Sequence, residues 1–485
     1  MGTAPGAAKP RCPTELGPGF RPPMRECWRS VARLASTRCA RGASALRLLT
    51  LVGTLRVLGG LPQCAAAAPP PEVQLPKVLT LDQALELFRT RGLDLLIADA
   101  AVLSAQGDEL TAGAIPNPAL NTNFGRLFNY SSAPPCAGCS IYSFGAGLSD
   151  QTAVEDTLSG KRALRLRVAR AALEAARLGR ADAERTVGFQ VKSQYVQVAA
   201  ARWALDFARE VQTSMVKSVE LTRLRYPKVI NEGDLARIEV QRLEADQAVD
   251  QAVQALRTAQ VGLAFLLGVR SRVPDFDVER DVLRFRVPEA LQTATVDALR
   301  DEALQQRPDL RQAASSEERA EGALALARRQ RIPDVTLGAQ YTQTGTGQNA
   351  VQPPGLTFGF TVGLPVFYQQ QGEILHAEAD RESQLLQRTK LTAQVVSDVE
   401  TAYAGFAAAK ALVDRMESTL LERARKARDI TEIQYKAGSA TLIDFLDAER
   451  TFIQTNTEYF TDLANYWTAV FQMEAAVGAE LQDGT

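Results

Sequence analysis

The chain has 485 residues, 55 Lys and Arg against 56 Asp and Glu, and a net charge of -1. It is long enough for a sizeable core or two domains and lacks the basic excess of a nucleic-acid binder. His376 is the single histidine, which argues against histidine-based metal or acid–base chemistry, and no nucleophile–base pair, phosphate loop or metal-ligand spacing is found. No catalytic residue, cofactor or metal site is therefore expected, and the chain reads as something other than an enzyme.

Four of the six cysteines, Cys12, Cys27, Cys39 and Cys64, fall in the first 64 residues, and only Cys136 and Cys139 lie beyond. This N-terminal segment is rich in Arg, holds an apolar run from Ala45 to Leu61, and ends with four alanines and three prolines after Cys64. It reads as an export signal with small-residue cleavage sites. Its basic region is long and Arg56 interrupts the apolar run, which makes Met24 an alternative start; an Arg-rich organellar transit peptide is the competing reading. Gln63 before Cys64 is a poor match to the small residue of a lipoprotein site, so plain cleavage near Ala67 or Ala68 is expected. No later run of about 18 apolar residues exists, so no transmembrane helix is expected.

Thr80-Leu-Asp-Gln83 has the form of a capping box and opens an apolar-periodic helix reaching about Gly113. Leu120 to Tyr130 and Ile141 to Leu148 change to period two. In the second, Tyr142, Phe144, Ala146 and Leu148 alternate with Ser143, Gly145 and Gly147; in the first, Arg126 falls among the apolar positions. The polar loop between them carries Cys136-Ala-Gly-Cys139, expected as a disulfide because the exported compartment is oxidising; two thiolates fall short of a tetrahedral metal site. From about Val154 to Arg225 the spacing is helical without proline, a helix of ~100 Å at about 1.5 Å per residue. A turn at Gly233 and a helix back to about Leu267 complete a hairpin, and Val269 to Pro288 form a connector.

The chain then begins again. Thr295-Val-Asp297 echoes Thr80-Leu-Asp82, Arg307-Pro-Asp309-Leu310 echoes Gly92-Leu-Asp94-Leu95, and Ile332-Pro333 echoes Ile115-Pro116. Val335, Leu337, Ala339 and Tyr341 form one face of the next strand, and Leu356, Phe358, Phe360, Val362 and Leu364 the same face of its partner. After Gly372 a long helix carries Val399, Ala402, Phe406, Ala409, Val413 and Met416 in the three–four spacing of a coiled coil. Gly438 is expected to stop it with a positive φ, and Ser439 or Thr441 to cap the last helix, which runs to about Val477. Asp444 and Asp447 then share a face at its start. Internal repetition gives the division 1–68 export signal and extension, 69–268 first repeat, 269–294 connector, 295–480 second repeat and 481–485 tail. Mainly α with a small β part is the expected fold class.

Four strands cannot close a barrel, and a bilayer admits no unpaired strand edge. Three copies would close twelve strands, with the helices continuing as a tube below, so a homotrimer is expected. Phe128, Tyr130, Tyr142 and Tyr368 are candidates for interfacial aromatic belts, with strand-end core packing as the alternative.

At this point the chain resembles the TolC-type outer-membrane efflux proteins over nearly its whole mature length, Leu79 to about Ala479. The most specific segments are Tyr435 to Glu449, Gly363-Leu-Pro-Val-Phe367 with Gln371-Gly-Glu-Ile374, and the duplication. Gly233-Asp-Leu-Ala-Arg-Ile238 is also similar to the branch serving heavy-metal resistance-nodulation-division pumps. The resemblance implies a trimeric barrel in outer-membrane lipid, a periplasmic helical tunnel, a periplasmic adaptor protein and an inner-membrane pump. The function it implies is a passive exit duct gated at its periplasmic tip; the outer-membrane component of type I protein secretion, or a structural coiled-coil adaptor, are the alternatives. It also implies that Asp444 and Asp447 line the constriction, that Glu239 is the corresponding acid of the first hairpin, and that Tyr435 holds the closed state. Ala440 stands where the best-known member has a gate-locking arginine, and Arg237 is the candidate to supply that charge.

Overall fold

The computed structural model describes residues 75–126, 128, 141–227, 230–344 and 353–481. The export segment, Tyr130 and the expected Cys136–Cys139 disulfide lie outside the described residues. After β1 (Val78–Leu79), Thr80 caps α1 (Leu81–Arg91) through a full capping box with Gln83. The helix expected to reach Gly113 is two: Gly92 is extended at φ -57°, ψ 126°, and α2 (Leu93–Gly113) follows it. A Cβ on Gly92 would lie 2.6 Å from the Phe88 ring and carbonyl, so the kink needs glycine there. The second half breaks at the matching place by other chemistry. Arg307 is extended because Pro308 follows it, separating α7 (Val296–Gln306) from α8 (Pro308–Arg329).

Two hairpins make the sheet: β2 (Ala119–Arg126) with β3 (Tyr142–Ser149), and β5 (Val335–Gln343) with β6 (Gly355–Val362). All neighbours are antiparallel, in the order β2-β3-β5-β6. The register aligns Leu120 with Leu148, Leu148 with Ala339 and Ala339 with Phe358; a second row runs from Thr122 through Ala146 and Tyr341 to Leu356. The alternating apolar residues of all four strands therefore share one face, and Asn121, Gly147, Gln340 and Thr357 lie together on the other. Arg126 pairs with Tyr142 at the end of the ladder, where a long cation can reach polar surroundings.

Below the sheet, a six-residue helix α3 (Ala153–Leu158) ends before Gly160, whose φ of 76° separates it from α4 (Lys161–Arg225). The helix expected from Val154 is thus interrupted once and then runs 65 residues. Buried Lys161 fixes this junction, donating to the Ile332 carbonyl at 2.8 Å and to Asp334 at 2.7 Å. Asp150, just past β3, accepts the Leu337 amide at 2.8 Å.

Helix α5 (Glu232–Leu266) returns to the connector, where β4 (Asp277–Val278) pairs in parallel with β1 and α6 (Glu289–Thr293) leads into α7. Tyr195 of α4, fully buried, clamps this pair: its hydroxyl donates to the Leu79 carbonyl at 2.7 Å and accepts the Glu279 amide at 3.0 Å. Burial pushes its phenol up to about 12, so it remains a donor at any physiological pH. In the second half, α9 (Gln371–Arg415) passes through a π-helical turn (Met416–Leu420) into α10 (Leu421–Ala437), and α11 (Leu442–Val477) returns. Val399, Ala402, Phe406, Val413 and Met416 are buried as the three–four spacing predicts, but the next buried apolar residue is Ala424, eight positions on rather than seven. The extra residue of the π turn absorbs the mismatch and keeps the apolar stripe on one side.

The largest core surrounds β1, β4 and the connector, and includes Phe88, Tyr195, Leu263, Tyr466 and Phe471. Beside it lies a buried ionic group. Arg307, 4 % exposed, donates to Asp309 at 3.1 and 2.5 Å, to Asp398 at 3.0 Å and to the Ala476 carbonyl at 3.2 Å. Lys192 donates to Glu474 at 2.8 Å. These contacts bind α4, α7–α8 and α9 to the last turns of α11.

Candidate functional site: the paired hairpin tips

The first tip turns before Gly233, not at it. Tyr226 precedes Pro227 and is extended at φ -77°, ψ 143°, since the proline ring crowds a helical predecessor. Asn231 then caps α5, accepting the Asp234 amide at 2.8 Å. Gly233 is the second residue of α5, and among the described residues the glycines with positive φ are Gly160, Gly268, Gly438 and Gly478. A glycine this near an N-cap is helical because the asparagine side chain, not the glycine backbone, ends the turn.

At the second tip Gly438 has φ 81°, and the Ser439 amide donates back to the Gln434 carbonyl at 2.9 Å, a glycine-terminated C-cap. Of the two candidate caps, Thr441 acts. Its hydroxyl accepts the Asp444 amide at 3.2 Å, and the Asp444 carboxylate accepts the Thr441 amide at 3.1 Å and hydroxyl at 2.7 Å. The hydroxyl and amide hold the Asp444 carboxyl below its ordinary value. Asp444 is thus the reciprocal half of a capping box and remains exposed. Asp447 is exposed too and borders a groove with Gly233, Arg237, Ile443 and Arg450.

Between the tips, Tyr435 is buried with Val219, Ile238, Leu442 and Phe445. Its ring stacks on Phe445 at 5.3 Å and 8°, and its hydroxyl lies 3.0 Å from that of Thr222 on α4. Arg225, in the last turn of α4, crosses to the other hairpin: it donates to the Tyr435 carbonyl at 2.9 Å and the Lys436 carbonyl at 2.6 Å, with its guanidinium 5.4 Å from the Tyr435 ring centre. A cation at these carbonyls also complements the negative C-terminal end of α10.

Arg237, expected as the lock, pairs within its own helix with Asp234 at 3.3 Å and is largely exposed. Three residues apart on one helix, the two reach each other without crossing the hairpin interface. Glu239 also has a local partner, accepting from Arg223 at 2.7 Å between α4 and α5. The cross-hairpin contact therefore falls to Arg225 and Thr222, which sequence reasoning missed. The available signal was position: a basic residue closing a helix immediately before Tyr-Pro lies beside whatever the neighbouring hairpin ends with.

Residues 299–479 match the family Outer membrane efflux protein. The pyoverdine export outer-membrane protein OpmQ of Pseudomonas aeruginosa is 28% identical over 76% of this chain and 79% of its own. The cobalt-zinc-cadmium resistance protein CzcC of Cupriavidus metallidurans is 24% identical over 82% of this chain and 90% of its own. The chain is similar to outer-membrane efflux and export proteins over most of its length. The fold is shared with the open state of the MtrE outer-membrane channel of Neisseria gonorrhoeae, at a TM-score of 0.68 and 18% identity over 86% of this chain and 95% of that one. The matched family and the relatives are named as outer-membrane efflux, export and resistance proteins. The family supplies the outer-membrane components of tripartite efflux systems.

Proposed function

We propose that this protein is the TolC-type exit duct of a tripartite efflux pump, a homotrimer whose three sheets close a twelve-stranded barrel. The observation that carries the reading is the sheet. Phe358 and Phe360 are 75 and 74 % exposed on one apolar face, and among the described residues β2 and β6 leave both outer edges unpaired in the monomer. Lipid around the apolar face and a neighbouring copy at each edge satisfy both conditions. The recurrence of strand pair, long helix, turn and helix in both halves supports an internal duplication. The helices continue as a periplasmic tunnel toward an adaptor and an inner-membrane pump. Light scattering in mild detergent should give the mass of three chains plus bound detergent; a monomer would overturn the assembly.

At the tip, three-fold symmetry gathers Asp444, Asp447 and Glu239 around the axis as a constriction attractive to cations, and Tyr435 with Arg225 holds it closed. The relatives named for cobalt-zinc-cadmium resistance and pyoverdine export support heavy-metal cations or small organic molecules as cargo, with cation preference arising from the carboxylates. Asp447→Asn is the cleaner test, since Asp444 also caps its helix. Planar-bilayer recordings should show reduced cation selectivity and weaker block by multivalent cations. Unchanged selectivity in Asp447→Asn and in the double variant with Asp444→Asn would remove these carboxylates from the pore.

A further inference from the structure

Two turns above the tip, Glu449 of α11 is 3 % exposed, and its Oε2 has no hydrogen-bond partner. Among the described residues no Lys or Arg lies within ion-pair distance of it. The charged groups facing it are Arg428, Asp429 and Glu432 from α10 and Glu210 from α4, three acids against one cation. That cation is turned elsewhere. Arg428 lies over the Phe452 ring at 4.5 Å, with its Nε 3.0 Å from Asp429 but buried and outside hydrogen-bond geometry. Glu432 is paired with Lys436 at 2.5 Å. An ionised carboxylate here is almost wholly removed from solvent with one oxygen unpaired, a costly state. The interface also has a pivot, because α10 joins α9 through the π turn, where the regular helical hydrogen-bond ladder is interrupted. At that turn Tyr459 of α11 donates to Glu417 at 2.6 Å.

We propose that Glu449 is a proton-operated latch: uncharged, it stays within the packed interface of α4, α10 and α11, and ionised, it is hydrated only when α10 swings away from α4 and α11 about the π turn. Burial is the largest influence and raises its carboxyl above the ordinary 4.5; Arg428 opposes this, while Glu432, Asp429 and Glu210 add to it. The sign follows from linkage. The closed interface binds the proton more tightly than an open one in which Glu449 is hydrated. Acid therefore favours closure, and closure weakens as pH rises from 4.5 through the raised closed-state value. Within that window each protomer's opening equilibrium should rise by up to about tenfold per pH unit.

The gating consequence rests on the proposed tip constriction, so two readouts are needed on the full-chain protein in detergent and in planar bilayers. Amide hydrogen exchange over 424–452, corrected for the intrinsic pH dependence of exchange, should show protection falling as pH rises. Glu449→Gln should remain protected throughout, and Glu449→Met, also non-ionising, should match it if the glutamine variant fails to assemble. Equal pH dependence in wild type and either assembled variant would overturn the latch. If exchange responds through Glu449 while conductance stays flat with pH, the latch stands and the tip is not the gate.

Discussion

Arg225→Ala should give a channel that opens far more readily, and Arg237→Ala one that behaves like the wild type. Arg225 is half-buried and makes two charge-assisted hydrogen bonds to carbonyls of the other hairpin. Hydrogen bonds involving a charged group contribute about 1.5–3 kcal/mol, so a loss of roughly 2–3 kcal/mol per protomer is expected. At about 1.4 kcal/mol per factor of ten, the closed-to-open ratio falls roughly 30- to 140-fold. Single-channel recording reads this as a higher open fraction and mean conductance. Arg225→Lys, a point charge without the planar fork, should fall between. Arg237 makes an exposed pair on its own helix, worth only about 0.2–0.5 kcal/mol. If Arg237→Ala opened the channel and Arg225→Ala did not, the assignment of the lock would be reversed.

The largest stability loss should come from Arg307→Met. The residue sits at the break between α7 and α8, satisfies Asp309 and Asp398, and donates to the Ala476 carbonyl of α11. Removing only the cation leaves two carboxylates and a carbonyl without it, a change that typically costs about 3–5 kcal/mol. Thermal unfolding followed by circular dichroism at a fixed scan rate should shift down by several degrees, while truncation of an exposed pair, such as Arg284→Ala near Asp281, should leave it in place. The pH response has a definite sign. Arg307 and Arg185 hold the Asp309 carboxyl below its ordinary 3.8 against the opposing effect of burial. This stability is therefore present above the ordinary value and lost as pH falls through the lowered one. Arg307→Met should have lost it already and show a flatter acid limb.

How much was legible depends on the range of the force involved. Period-two alternation in Val335 to Tyr341 and Leu356 to Val362 dictated a sheet with one apolar face, because a strand's side chains alternate whatever their partners. The three–four spacing from Val399 to Met416 likewise dictated a long packed helix, and Gly438 a turn, since only local sterics are involved. Local chemistry also misled. Gly233 looked like its counterpart Gly438, yet Tyr226-Pro227 and the Asn231 cap had already completed the turn.

Which charges meet was invisible in the sequence. Arg237 and Arg225 stand in equally plausible places along the chain, and only the packing of α4 beside the end of α10 brings Arg225 to the Tyr435 and Lys436 carbonyls. Nor does the sequence show that Glu449 is buried, with Glu210 of α4 and Arg428 and Glu432 of α10 as its charged neighbours. The sequence by itself determined the elements, their faces and their repetition, because backbone and rotamer preferences act over a few residues. Tertiary structure decided the lock, the latch and the core ionic group, because hydrogen bonding and desolvation depend on groups brought together from some 200 positions apart, as between Arg225 and Tyr435.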